Sequence, residues 1–145
     1  MLGRNPDISE ARDGLHAGAV QYAHNVVYGV GKAALDKMTA DMAHELEPHG
    51  VTVVSLWPGL VRTEIVELGA RRTEDGRSVL DLAGEGTFDL ADAETPRFVG
   101  RGVVALATDP AVLTQTGRAI PTDTLAATYG FTDVDGSLPG AGLRP

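Results

Sequence analysis

Tyr28-Gly-Val-Gly-Lys32 opens the stretch that decides the fold, Asn25 to Thr63. A long periodic segment follows, then the breaker Pro48-His49-Gly50, the apolar run Val51-Thr-Val-Val-Ser-Leu-Trp57, and Pro58-Gly59. Val27, Val30, Ala34, Leu35, Met38, Met42 and Leu46 recur at spacings of three and four, which predicts a helix over 26–47. Proline and glycine end it. The run from Val51 to Trp57 is β-branched and almost uncharged, the pattern of a strand buried on both faces in a parallel sheet. A helix, a short turn and such a strand make half of a βαβ unit, so the expected class is α/β.

Tyr28 and Lys32 stand four residues apart and share one helix face. A phenol beside an ammonium is a plausible proton-transfer pair, because a nearby cation favours the phenolate. Gly29 and Gly31 each weaken a helix by about 1 kcal/mol relative to alanine, so some contact is expected to need their small size. Ala33, Ala34, Ala40 and Ala43 would let another helix approach closely.

Outside this stretch the signals are weaker. Residues 1–19 mix Gly, Pro, Asp and Arg and read as an irregular N-terminal segment, with a short turn near Val20–His24. Leu60 to Ala93 is polar, carries the charged cluster Arg71 to Arg77, and reads as a loop. Short helical pieces are expected within it at Thr63–Leu68 and near Val79–Leu82. Thr95-Pro96 starts a helix with a capping hydroxyl and a first-turn proline. Phe98, Val99, Val103, Leu106 and Ala107 form its buried face, and Asp109-Pro110 closes it. One further turn to Gln115 precedes a short strand, Arg118 to Thr122, whose proline argues for a sheet edge. The chain from Gly130 onward is rich in Gly and Pro and reads as irregular.

Bulk properties narrow the partners. One domain is expected of 145 residues, of which 43% are hydrophobic. A formal charge of −8 argues against binding nucleic acid. No apolar run approaches the roughly 20 residues that a membrane helix needs. The absence of cysteine removes disulfide and thiolate chemistry and fits a cytoplasmic protein.

Taken together, Tyr28-x-x-x-Lys32 on a helix, a buried strand ending in Pro58-Gly59, and Thr63 resemble the short-chain dehydrogenase/reductase family. The resemblance continues through Val103-Val-Ala-Leu-Ala-Thr-Asp-Pro110 and Thr116-Gly117, and covers residues 20–136, leaving 137–145 as an irregular tail. It implies hydride transfer between NAD or NADP and a small-molecule carbonyl or alcohol. Tyr28 would be the general acid or base. Lys32 would assist it and hydrogen-bond the nicotinamide ribose. Pro58 and Gly59 would shape the backbone beside the nicotinamide, with the Val61 amide and the Thr63 hydroxyl near its carboxamide. A homo-oligomer through the Tyr28 helix is also implied, although core packing would leave the same sequence trace.

The family's T-G-x-x-x-G-x-G phosphate turn has no counterpart before Tyr28. Nor does the residue that selects NAD or NADP, or the N-N-A-G segment. The expectation is therefore the C-terminal part of a Rossmann-type doubly wound parallel sheet, with the nucleotide-binding half absent and the partial chain inactive alone. Counting back from Tyr28 to the place of the family's serine reaches Leu15 and His16; Ser9 lies too far back. The alternative is a non-catalytic homologue acting as an interaction module.

Three other patterns read as structural. Gly100-Arg-Gly-Val-Val-Ala105 has the form of a dinucleotide fingerprint but follows a helix start rather than a strand, so packed glycines are expected. His16, His24, His44 and His49 lack ligand spacing, so no metal is expected. Asp133-Val-Asp135-Gly136 lacks the remaining ligands of a calcium loop and reads as a turn.

Overall fold

The computed structural model describes residues 26–82 and 86–140. The expectations for residues 1–19 and for Val20–His24 lie outside the described residues, as does the end of the expected tail. The first helix, α1 (Val26–Leu46), runs into a single 3-10 turn at Glu47–His49. Gly50 follows with φ of 71°, a left-handed conformation in which glycine carries no Cβ penalty.

The chain then returns along α1. The strand β1 (Ser55–Trp57) pairs in parallel with β5 (Ala119–Pro121), matching Leu56 to Ile120. This is shorter and less covered than the sequence predicts. Residues 52–57 are half-buried and Val51 is exposed. The approach to the strand is held instead by the Thr116 hydroxyl, which accepts from the Val53 amide, and by the Gly117 amide, which donates to the Val53 carbonyl.

Between β1 and β5 lie α2 (Glu64–Gly69), β2 (Arg71–Arg72), β3 (Ser78–Leu82), β4 (Gly86–Asp89) and α3 (Pro96–Thr108). The helical piece expected at Thr63–Leu68 is present as α2. The piece expected near Val79–Leu82 is a strand, the centre of an antiparallel β2-β3-β4 meander. The Arg71–Arg77 cluster is a tight hairpin rather than an open loop. The Arg71 guanidinium donates to Asp81, and Arg77 pairs with both Asp75 and Asp89.

Two apolar clusters hold these parts. Leu60, Leu90 and Ala93 gather Val66, Ala70, Leu80 and Phe88 beneath the meander. Leu106, Ile120 and Leu125 gather Leu56, Val112, Tyr129 and Phe131 between α3, β5 and α4 (Thr122–Tyr129). Phe98 is fully buried, with its ring centroid 5.2 Å from that of Phe131. Gly102 is buried too; a Cβ there would stand 3.3 Å from Leu125 Cδ1. That fits the packed-glycine reading, whereas Gly100 has open space around it.

On α1 core packing does not account for the apolar stripe, and one expectation changes. Its apolar stripe is not buried among the described residues: Val27 is 85% exposed and Met38 51%, and only Thr39 and Ala43 are buried. One short strand pair offers too little sheet to cover a 21-residue helix. A Cβ added at Gly31 would have nothing within 4 Å, so no contact among the described residues requires its small size.

Residues 131–140 form no helix or strand, yet they are anchored. Asp133 accepts from the Thr95 amide and hydroxyl at 2.8 and 2.6 Å. Arg101 reaches the carbonyls of Thr132 and Asp133, and the Gly140 amide donates to the Asp92 carbonyl. Thr95 precedes α3 as the sequence predicts, but its hydroxyl makes no cap bond to the helix. It is spent on Asp133 instead. The Asp133–Gly136 stretch is a turn, closed by the Gly136 amide on the Asp133 carbonyl.

Candidate active site

Asp36 sets the geometry of the site. Its Oδ1 accepts both the Ser55 hydroxyl at 2.6 Å and the Trp57 indole N–H at 3.0 Å, fastening α1 to β1. Two turns further along α1, Ala43 lies against Gly117, whose amide is bonded to the Val53 carbonyl. The contacts of α1 therefore run backward along the strand as the helix runs forward, so the two are antiparallel. A helix rises about 1.5 Å per residue, which carries Lys32 about 6 Å and Tyr28 about 12 Å beyond the Asp36 anchor. The chain leaving Trp57 through Pro58 and Gly59 heads to that same end.

At this end Tyr28 and Lys32 sit in the first two turns of α1, as the sequence predicts, and both are largely exposed. The Lys32 ammonium stands over the Tyr28 ring, 5.2 Å from its centroid. Such a cation–π contact contributes about 0.5–1 kcal/mol at an exposed position and holds the two side chains together.

Pro58, Gly59 and Val61 are half-buried. Val61 makes a parallel bridge to Glu94, the Glu94 amide donates to the Leu60 carbonyl, and the Arg62 amide donates to the Glu94 carbonyl. Thr63 caps α2, its Oγ1 accepting from the Val66 amide at 3.4 Å. A hydroxyl that accepts in this way keeps its own proton to donate outward. The position of the family's serine, at Leu15 or His16, lies outside the described residues.

Two acids at this end escape sequence reasoning. Asp36 interrupts an apolar helix, and that is its only sequence signal. Glu94 has none, since an acid just before Thr95-Pro96 reads as an ordinary helix entry. Yet Glu94 is 3% exposed, with Oε2 accepting from the Thr122 hydroxyl at 2.6 Å. Burial pushes its carboxyl up to about 7. The Thr122 hydroxyl and the Gly59 amide favour the charged form and offset part of that rise, while Asp123 and Asp133 add to it. Burial also acts upward on Asp133, but hydrogen bonds from Thr95 and Val134 outweigh it and hold that carboxyl below its usual range.

Among the described residues no cluster of three or more His, Asp or Glu is placed to hold a metal. No described helix is long and apolar enough to cross a membrane.

Residues 16–73, which include the Tyr28 helix and the Pro58–Thr63 turn, match the short chain dehydrogenase family. The chain is similar to human "Dehydrogenase/reductase SDR family member 1", with 48% identity over 119 residues. That alignment takes in 82% of this chain and 37% of the human protein. The mouse protein of the same name is 47% identical over the same shares. "Short-chain reductase protein NovJ" of Streptomyces niveus is 37% identical over 81 residues, which are 55% of this chain and 30% of that protein. The chain thus spans 37% of the length of its human and mouse relatives. With an α/β structure, a family match over residues 16–73 and relatives nearly half identical over 82% of its length, the chain belongs to the short-chain dehydrogenase/reductase family.

Proposed function

We propose that Tyr28, Lys32 and the Pro58–Thr63 turn are the proton-transfer and nicotinamide-contacting end of an NAD(P)-dependent oxidoreductase. Its substrate would be a small-molecule carbonyl or alcohol. One observation carries the reading: the Asp36 anchor, which sends the N-terminal end of α1 and the Pro58–Thr63 turn to a common edge. That edge lies beyond the carboxyl end of the parallel strand β1, where sheets of this kind bind ligands.

The chain's residues divide the work. Tyr28 gives its phenolic proton to the carbonyl oxygen of the substrate, or takes it back from the alcohol. Lys32, held at the ring of Tyr28, supplies positive charge beside the phenol and a donor for a ribose hydroxyl. Gly59 leaves room for a flat ring against the backbone. The Val61 amide and the Thr63 hydroxyl donate toward a carboxamide. The nicotinamide, when bound, supplies or accepts the hydride.

The residues at this edge therefore fit the nicotinamide end of the dinucleotide. The phosphate end is another matter, because no T-G-x-x-x-G-x-G turn precedes Tyr28 within these 145 residues. We accordingly expect the isolated polypeptide to bind NADH and NADPH more weakly than micromolar and to be inactive alone. Fluorescence titration with each nucleotide tests this. It should be repeated after fusing the chain behind the part of the human relative that precedes its matched region. The reading requires binding to appear on fusion; micromolar binding by the 145 residues alone, or none in the fusion, contradicts it.

A second reading has its own support. Val27, Val30, Leu35, Met38 and Met42 leave an apolar face of α1 exposed, as an interaction module or a homo-oligomer through this helix would require. Sedimentation of the wild type against Val30→Asp separates the two. Loss of self-association or partner binding in the variant, with no nucleotide binding by the fusion, favours the module.

A further inference from the structure

The proton-transfer reading leaves one buried carboxyl without a task. Glu94 lies directly behind the Pro58–Thr63 turn, not at the exposed edge where Tyr28 and Lys32 stand. Its main chain takes hold of the turn at two points, through the Leu60 carbonyl at 2.9 Å and the Arg62 amide at 2.8 Å. Its carboxyl spans from the turn, where the Gly59 amide acts on it, to the start of α4. Oε2 is fixed by the Thr122 hydroxyl at the junction of β5 and α4, and Oε1 is buried without a hydrogen-bond partner. The crevice around it is lined by Gly59, Asp92, Thr122, Asp123 and Pro139.

A buried oxygen without a partner is costly, and more so when it carries charge. Among the described residues no cationic side chain is one of the main groups acting on this carboxyl; those that act through space are Asp123 on α4 and Asp133 in the C-terminal segment. Asp92, from the segment just before it, lines the same crevice. The nearest guanidinium along the turn, that of Arg62, faces Glu67 at 3.7 Å. A negative charge on Glu94 is thus opposed by carboxylates from both packed elements.

We propose that Glu94 is a positioning residue, which in its neutral form clamps the Gly59–Arg62 backbone to the head of α4 and releases that backbone on ionisation. The role for catalysis rests on the reading of this turn as the nicotinamide contact. The clamp itself does not. Burial, which raises the ionisation of this carboxyl to about 7, puts the release within reach of ordinary solution conditions.

The test uses the purified 145-residue chain and needs no cofactor. Amide resonances and exchange rates of Gly59, Leu60, Val61 and Arg62 are followed between about pH 5.5 and 8.5, in the range where such a group titrates. Wild type should show these four amides moving together through a single midpoint, with Arg62 exchange speeding up at least tenfold beyond its intrinsic rise. Glu94→Gln, which keeps an acceptor for Thr122, should abolish the midpoint and keep Arg62 protected throughout. Thr122→Val should shift the midpoint upward, since the hydroxyl favours the charged form.

A midpoint that persists in Glu94→Gln overturns the proposal, and so does a flat wild-type profile. In the fused chain, Glu94→Gln should flatten the rise of the NADH dissociation constant with pH. If NADH moves none of these four amides while their own titration behaves as stated, the clamp stands and the nicotinamide reading falls.

Discussion

Replacing Asp36 by alanine should loosen α1 from the sheet and cost a measurable part of the stability. Both bonds it accepts end on the same oxygen, Oδ1, from Ser55 at 2.6 Å and Trp57 at 3.0 Å. Hydrogen bonds to ionised groups contribute about 1.5–3 kcal/mol each. Asp36, Ser55 and Trp57 are all half-buried, so water replaces part of what is lost. A net loss of roughly 2–4 kcal/mol follows, large against the roughly 5–15 kcal/mol typical of whole domains. Asp36→Asn is the sharper comparison. It keeps a carbonyl oxygen where Oδ1 stands, so both donors retain an acceptor and only the charge is lost, at a cost of about 1 kcal/mol. Urea denaturation reads the difference, because Trp57 is the single tryptophan and its indole is one of the two donors. Helix loss by circular dichroism should track the same midpoint. If Asp36→Ala falls within about 0.5 kcal/mol of wild type, the anchor does not hold α1, and the common edge argued for Tyr28 and the Pro58–Thr63 turn fails with it.

Three other predictions concern the fold. Glu94 has its carboxyl raised from 4.5 to about 7 in the folded chain, so between these values the folded state holds a proton that the unfolded state has lost. Its contribution is full at low pH, falls as pH rises through this window, and levels off above about 7, a loss of at most about 3 kcal/mol that Glu94→Gln should remove from a denaturation-versus-pH series. Gly117→Ala should destabilise by about 1–3 kcal/mol, since Gly117 has φ of 77° and the new Cβ would lie 3.3 Å from that of Ala43. Gly50→Ala, with φ of 71° and open space, should cost less in the same urea assay, leaving only the backbone term of about 1 kcal/mol.

How much of this is legible in the sequence depends on how far each residue's partner lies along the chain. The α1 and α3 helices carry their own signals, a 3.6-residue period in one and Thr-Pro at the start of the other. Val79 to Leu82 carries none that decides. Ser-Val-Leu-Asp-Leu suits either period, and it is a strand because Gly86–Asp89 pairs with it residue for residue. Thr95 is legible as a helix start but not as the partner of Asp133, 38 residues away.

The candidate site divides in the same manner. Tyr28, Lys32, Pro58, Gly59, Val61 and Thr63 stand out because their types and spacing match a family pattern. Asp36 and Glu94 do not, since what they hold lies 19 to 28 residues off and only folding brings it near. The exposed stripe of α1 is the converse case. Its period does mark a helix, but burial depends on a neighbouring surface that a helix cannot announce from its own residues.

The central claim is that Tyr28 moves the proton at the edge that Asp36 assembles. It is tested most directly by Tyr28→Phe in the chain fused behind the upstream part of the human relative, following carbonyl-dependent oxidation of NADPH or NADH. The account predicts a fall in kcat of about 10²-fold or more, the usual contribution of a positioned general acid, with the nucleotide dissociation constant little changed. A phenylalanine variant that keeps kcat within a few-fold of wild type would contradict it.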